Sequence, residues 1–256
     1  MPEIFDHATL KSDLIMAETK SKKSSLNLKT EEMAQAGLHF GHKSSKIHPK
    51  MKPYLYGVRN GVHIIDLEKT AEKLKEALNF MKEAVADGKI ILIVGTKIQA
   101  KALVKQTAEE CGLPYITERW LGGTLTNFET IKKRIDYFKD LERKKKEGEL
   151  ENYTKKERIK FDEELKNLEI KFGGIKILDK VPDIVFVLDM QKDDLAIKEA
   201  KAKDVKVVAL ADTNVDPTLA DYPIPANDDA MLSVKYILEK VKEVIKIAQS
   251  KVKKEK

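Results

Sequence analysis

Ile90-Ile91-Leu92-Ile93-Val94 is an unbroken apolar run that stops at Gly95. A strand with one wet face alternates polar and apolar residues, so five apolar residues in a row read as a strand covered on both faces. A helical pattern over 98–111 follows, then a second strand at Tyr115-Ile116-Thr117. The same alternation extends in both directions. Upstream, Val62-His63-Ile64-Ile65 reads as a short strand. It is followed by a helix from Leu67 to Ala86 with apolar residues at 67, 71, 74, 78, 81 and 85, ending at Asp87-Gly88. Downstream come a strand Ile184 to Leu188, a helix Asp193 to Lys203, a strand Val205 to Leu210, a Tyr222-Pro223-Ile224 edge, and a closing helix from Asp229 to Ser250. Repeated strand–helix units need right-handed crossovers, which give a parallel sheet with helices on both faces. The expected core is a three-layer α/β sandwich.

One segment interrupts this rhythm. Phe128, Ile131, Ile135 and Phe138 are spaced 3, 4, 3, and Phe161, Leu165, Leu168 and Phe172 are spaced 4, 3, 4, with charged residues between. Each set is a coiled-coil seam. A break near Gly148 to Thr154 returns the second helix antiparallel to the first, and Gly173-Gly174 re-enters the domain. Arms of roughly 20 residues would project ~30 Å at 1.5 Å per residue. The organisation expected is a disordered arm over 1–27, an α/β core built from 28–127 and 173–250, a coiled-coil hairpin over 128–172, and a basic tail over 251–256.

The charge is high and locally segregated: 48 basic and 42 acidic residues leave a net of only +6. Between Met33 and Ile65 there is no Asp or Glu, where composition leads one to expect about five. That window holds Lys43, Lys46, Lys50, Lys52, Arg59 and the histidines 39, 42, 48 and 63, interleaved with Phe40, Tyr54 and Tyr56. Such a loop suits a polyanion; the competing reading is a solvated loop whose acids lie elsewhere in the fold. A single cysteine, Cys111, rules out an internal disulfide and fits a reducing compartment. No window approaches the ~20 apolar residues of a membrane span. The expected setting is cytoplasmic.

Enzyme chemistry has weak footholds. Gly95-Thr96-Lys97 follows a strand and precedes a helix but matches neither phosphate-loop pattern. Asp189 and Asp212 lie just past apolar strands, where carboxylates serve as metal ligands or as turn and cap residues. His39 and His42 could contribute to a zinc site if carboxylates converged on them. No nucleophile elbow is present. A better binding candidate is Glu118-Arg119-Trp120-Leu121-Gly122-Gly123-Thr124-Leu125-Thr126-Asn127, with Lys132, Lys133 and Arg134 one turn later. Trp120 either stacks on a base or anchors the hairpin root in the core.

Three further stretches complete a recognisable pattern. Ala36-Gly37-Leu38-His39-Phe40-Gly41-His42, His48-Pro49-Lys50-Met51-Lys52-Pro53-Tyr54 and Gly61-Val62-His63-Ile64-Ile65-Asp66-Leu67 resemble the opening of the bacterial S-two family of small-subunit ribosomal proteins. The likeness continues through 119–127, Pro182-Asp183 and Ala211-Asp212-Thr213-Asn214, covering about 28–247. The resemblance implies a flavodoxin-like sheet bearing a protruding helical hairpin. It also implies a structural, non-catalytic role on small-subunit ribosomal RNA and docking of neighbouring ribosomal proteins, including the large OB-repeat protein. Neither a cofactor nor a homo-oligomer is expected. The RNA-binding residues expected are His39, His42, Lys43, Lys46, His48, Lys50, Lys52, Arg59, Arg119, Asn127, Lys132, Lys133 and Arg134. Ser45-Lys46-Ile47-His48 stands where the family usually carries Arg-Arg-Trp-Asn, replacing planar guanidinium forks with a point charge. The alternative retained is a nucleotide- or metal-dependent α/β enzyme built on Gly95-Thr96-Lys97, Asp189 and Asp212.

Overall fold

The computed structural model describes residues 28–252; the arm over 1–27 and residues 253–256 of the expected tail lie outside the described residues. The central sheet has five parallel strands: β4 (Ile91–Val94), β5 (Tyr115–Ile116), β6 (Ile184–Val187), β7 (Lys206–Ala211) and β8 (Tyr222–Pro225), in the order β5-β4-β6-β7-β8. Counting within this sheet, the order is 2-1-3-4-5, the doubly wound order of flavodoxin-like folds.

Side-chain parity builds the three layers. Ile91, Ile93, Ile184, Phe186, Leu188, Val208 and Leu210 point to one face. There they meet α1 (Thr30–Gln35), α2 (Leu67–Ala86), α3 (Ile98–Cys111) and the long closing helix α7 (Met231–Val252). Leu92, Val94, Val185, Val187, Val207, Ala209 and Ala211 point to the other face, against α6 (Asp194–Ala202). Both faces are dry, which is why β4 and β6 are buried at every position. The edge strand β8 tolerates Pro223 and Pro225 because only one of its sides needs ladder donors.

Val62–Ile65 is a strand, but it does not join this sheet. As β3 it pairs antiparallel with β1 (Phe40–Lys43) and β2 (Leu55–Arg59) in a separate three-stranded sheet of order β1-β3-β2. The reason is the Asn60-Gly61 dipeptide. Both residues have positive φ, 51° and 74°, the geometry of a two-residue hairpin turn. Its burial alternates, with His63 and Ile65 inside and Val62 and Ile64 half out, unlike the uniformly buried β4.

The interrupting segment forms α4 (Phe128–Lys146) and α5 (Lys155–Phe172), the latter opened by a Thr154/Glu157 capping box. Ile131, Ile135, Phe138, Leu141, Leu165, Leu168 and Phe172 are buried, with Phe128 and Phe161 partly so. These seam residues are continuous with the α6-side core through Trp120, Leu125 and Ile175, so the root of the helix pair is part of the domain interior.

Candidate nucleic-acid interface

The acid-free segment borrows its acids from the turn after β7. Lys50 Nζ lies 2.7 Å from Asp216 Oδ2 and 2.9 Å from Thr218 Oγ1. That contact and the Thr218 hydroxyl hold the Asp216 carboxyl at about 2. The His48 amide donates to the Thr213 carbonyl (2.8 Å) and the His42 amide to Thr213 Oγ1 (2.9 Å). The loop is thereby pinned rather than free, and the competing sequence reading is correct for Lys50. His48 is half-buried and caps the turn that follows, its Nδ1 accepting from the Lys50 amide at 3.4 Å. The ring of His39 lies 4.0 Å from that of Phe40, and burial lowers its pKa, favouring the neutral form. Lys43, Lys46, Lys52 and Arg59 remain exposed and have no ion-pair partner among the described residues.

The turn over 119–127 is built around a carboxylate that sequence reading did not single out. Glu199 of α6 is 6% exposed. Its Oε1 accepts from Trp120 Nε1 (3.1 Å) and the Gly123 amide (2.8 Å); Oε2 accepts from the Leu125 amide (2.9 Å), the Thr126 amide (3.3 Å) and Thr126 Oγ1 (3.3 Å). Burial pushes this carboxyl up, but the Leu125 and Gly123 amides and the indole outweigh it, so it titrates below the usual carboxylate range. Trp120 is buried, which decides its open assignment in favour of the anchor. Arg119 and Asn127 are exposed at either end, and Lys133 and Arg134 are exposed on the first turns of α4. Lys132 is partly committed, donating to the Asp179 carbonyl at 3.0 Å.

The C-terminal ends of β4 and β6, where the strand order reverses, are the usual ligand crevice of such sheets. Here that crevice holds Lys97. Its ammonium lies 2.8 Å from Asp228, 2.7 Å from Asp229 and 3.3 Å from Asp189. Burial pulls the Lys97 pKa down, but Asp228 and Asp229 outweigh it and the group stays charged. Burial, with Asp212 and Asp189 nearby, pushes Asp228 well above the carboxylate range. Asp189 also accepts from the Gln191 and Lys192 amides, as a turn-stabilising carboxylate does. Gly95 makes no phosphate cradle: a Cβ there would come 2.8 Å from Val104 and 2.9 Å from Leu188, so the residue serves close helix–sheet packing.

His42 faces this cluster, not the outer surface. Nδ1 is 3.2 Å from Asp212 Oδ2, Nε2 is 3.6 Å from Asp229 Oδ2, and hydrogen bonding to Asp212 raises the imidazole pKa. His42, Asp212 and Asp229 place three donor atoms within 4.8 Å of one another, a set able to hold a divalent cation. His39 and Asp189 are not in it.

These features define a class: a doubly wound α/β protein whose strand-end crevice is closed by its own ion pairs and whose exposed cations lie on surrounding loops. Comparison with known proteins makes this specific. The chain matches the family model described as Ribosomal protein S2 over residues 33–248. It is 46% identical over 215 residues to the small ribosomal subunit protein uS2 of Coprothermobacter proteolyticus, an alignment covering 84% of this chain and 80% of that relative. The uS2 proteins of Dictyoglomus thermophilum and Geotalea uraniireducens are each 45% identical over 215 residues, covering 84% of this chain and 87% and 84% of theirs. The chain belongs to the ribosomal protein S2 family. Its relatives are structural components of the translation machinery and not enzymes, which sets aside the enzyme alternative. Among the described residues no helix is long and apolar enough to cross a membrane.

Proposed function

We propose that this chain is a structural constituent of the small ribosomal subunit in the cytoplasm, where it binds small-subunit ribosomal RNA and helps dock neighbouring ribosomal proteins, the large OB-repeat protein among them. The observation that carries the RNA reading is the exposed set Lys43, Lys46, Lys52 and Arg59 on a segment fixed to the domain by Thr213 and Asp216. Cations held on a rigid frame gain phosphate contacts without first having to order a loop. Arg119, Asn127, Lys133 and Arg134 extend the positive surface to the root of the helix pair. Lys50, Lys132, His39, His42 and His48 act mainly by shaping this surface, since their polar atoms are largely engaged within the fold or buried.

Lysine contacts read phosphate, not sequence, so their signature is salt dependence. Replacing Lys43, Lys46 and Lys52 together with Gln is expected to lower the log–log salt slope of ribosomal RNA binding by about 2 to 3 units. Adding Lys50→Gln is expected to change the slope little further, because that ammonium already serves Asp216. An unchanged slope in the triple variant would place the loop against solvent or protein.

The α4–α5 pair reads as an antiparallel coiled-coil arm that reaches a neighbour on the subunit. Its seam is apolar while Lys133, Arg134, Lys139, Glu163 and Lys166 face out. Replacing 135–165 with a short Gly/Ser link leaves Ile131, Leu168 and Phe172 to close the core. The truncated protein is expected to melt cooperatively at a somewhat lower temperature but to be scarce in purified small subunits. Loss of cooperative melting would assign the whole arm to the core.

A further inference from the structure

A second cationic feature lies on the edge of the sheet away from the acid-free loop. A cavity of about 210 Å³ opens where the C-terminal end of β5 meets the re-entry from α5. Lys105 from α3, Thr117 and Arg119 after β5, and Lys171 near the end of α5 line it, together with Glu118 and Glu169. Its floor is tightly built: a Cβ on Gly174 would clash with the Tyr115 carbonyl oxygen, so the re-entry is pressed directly against the strand.

Of the two acids in the lining, Glu118 is taken by another partner, whereas Glu169 has only a loose one, since Lys176 lies closer to Glu142. Glu118 Oε2 is 2.5 Å from Lys101 Nζ, and Glu169 Oε2 is 3.6 Å from Lys176 Nζ. Lys105 has only a loose contact with Glu109, at 3.9 Å, and Arg119 and Lys171 have no ion-pair partner among the described residues. The cleft therefore presents three cations against one carboxylate without a close partner, that of Glu169. It falls below the ~300–1,000 Å³ of an organic ligand site and lacks the predominantly apolar lining of one. A lining that includes a planar guanidinium, two ammonium groups and a threonine hydroxyl suits one anionic group with several oxygen acceptors.

We propose that this cleft is a phosphate seat for the ribosomal RNA backbone, in which Arg119 acts together with Lys105 and Lys171. The proposal rests on the RNA-binding reading above and gives Arg119 a phosphate, not a base, as its partner. It also explains the alignment of elements: the seat joins α3, β5 and α5, so RNA bound there would brace the root of the α4–α5 pair against the sheet.

The test uses the full chain and transcribed small-subunit ribosomal RNA, with affinity measured across a salt series. Lys105→Gln, Arg119→Gln and Lys171→Gln combined should lower the log–log slope by about 2 to 3 units. Thermal melting should stay unchanged, because all three side chains are exposed. Glu169→Gln should act in the opposite direction, tightening binding about two- to fivefold by removing a carboxylate from the seat. The Lys43, Lys46 and Lys52 variant runs alongside. If that variant loses slope while the cleft triple keeps the wild-type slope and Glu169→Gln has no effect, the cleft is not a phosphate seat although the RNA reading stands. If neither triple changes the slope, the RNA reading fails and the cleft proposal with it.

Discussion

Glu199→Ala is expected to destabilise the protein by about 3–5 kcal/mol at neutral pH, in the range of a buried polar network losing its centre. The substitution orphans the Trp120 indole N–H and the amides of Gly123, Leu125 and Thr126, all of which converge on one carboxylate. Each buried donor left unmade costs ~1–3 kcal/mol, and water reaching the half-exposed Gly123 and exposed Thr126 will recover part of the sum. Glu199→Gln should cost less, since the carbonyl oxygen can still accept from Trp120 and Gly123 while the amide nitrogen opposes the Leu125 donor. The pH dependence follows from the depressed pKa of this carboxyl. A folded-state value below the unfolded one contributes stability above the unfolded pKa and loses it as pH falls through the folded pKa. The gap between wild type and Glu199→Ala, measured by urea titration, should therefore be full at pH 7 and shrink below about pH 4. A gap below 1 kcal/mol at pH 7 would mean that the 119–127 turn holds itself.

The parallel core was legible because both-sided burial writes a continuous apolar run: Ile90 to Val94 and Ile184 to Leu188 can hardly be other elements. The two helices α4 and α5 were legible from apolar residues recurring at intervals of three and four. Where reading failed, at Val62–Ile65, the run was apolar apart from His63 and too short to reveal its period. The deciding signal lay next to it in Asn60-Gly61, a turn that reverses the chain and commits β2 and β3 to a hairpin.

The site was legible in its charges and illegible in their pairing. Lys43, Lys46, Lys52 and Arg119 stand exposed, as a locally acid-free or acid-poor stretch suggests. Lys50, His42 and Trp120 are held by Asp216, Asp212 and Glu199, partners 166, 170 and 79 positions away. No local pattern encodes such contacts. Asp228 and Asp229 were hidden in the same way: they follow β8 in sequence, and only the parallel order of β7 and β8 brings them to Lys97. A Lys just after one strand with acids just after others is a weak hint of such a cluster, since parallel strands gather their C-terminal ends.

Lys97→Met should cost about 3–5 kcal/mol near pH 7–8, the usual penalty for stripping one partner from a buried ionic cluster. That corresponds to a melting temperature roughly 6–20 °C lower for a chain of this size. The ammonium is 18% exposed and is the cation shared by Asp189, Asp228 and Asp229, of which Asp189 and Asp228 are 6% and 3% exposed. Without it these carboxylates face one another and Asp212 across the strand ends, offset by His42 and by Lys192, whose ammonium lies on the Thr96 carbonyl. The sign of the pH effect is set by which groups still titrate. Lys97 itself has a raised pKa, so its contribution is complete throughout neutral pH and would be lost only in strong alkali. Asp229 is held low by Lys97 and contributes above its unfolded pKa, an advantage that disappears with the lysine. Asp228, already pushed up in the wild type, will be pushed further and will take up a proton as pH falls, relieving the repulsion. The variant should accordingly be least stable relative to wild type near pH 8 and recover much of the difference by about pH 5, as measured by melting across that range. His42→Gln, which leaves Lys97 in place, should lose far less. Equal melting of wild type and Lys97→Met at pH 8 would show that solvent, not the lysine, neutralises the strand-end acids.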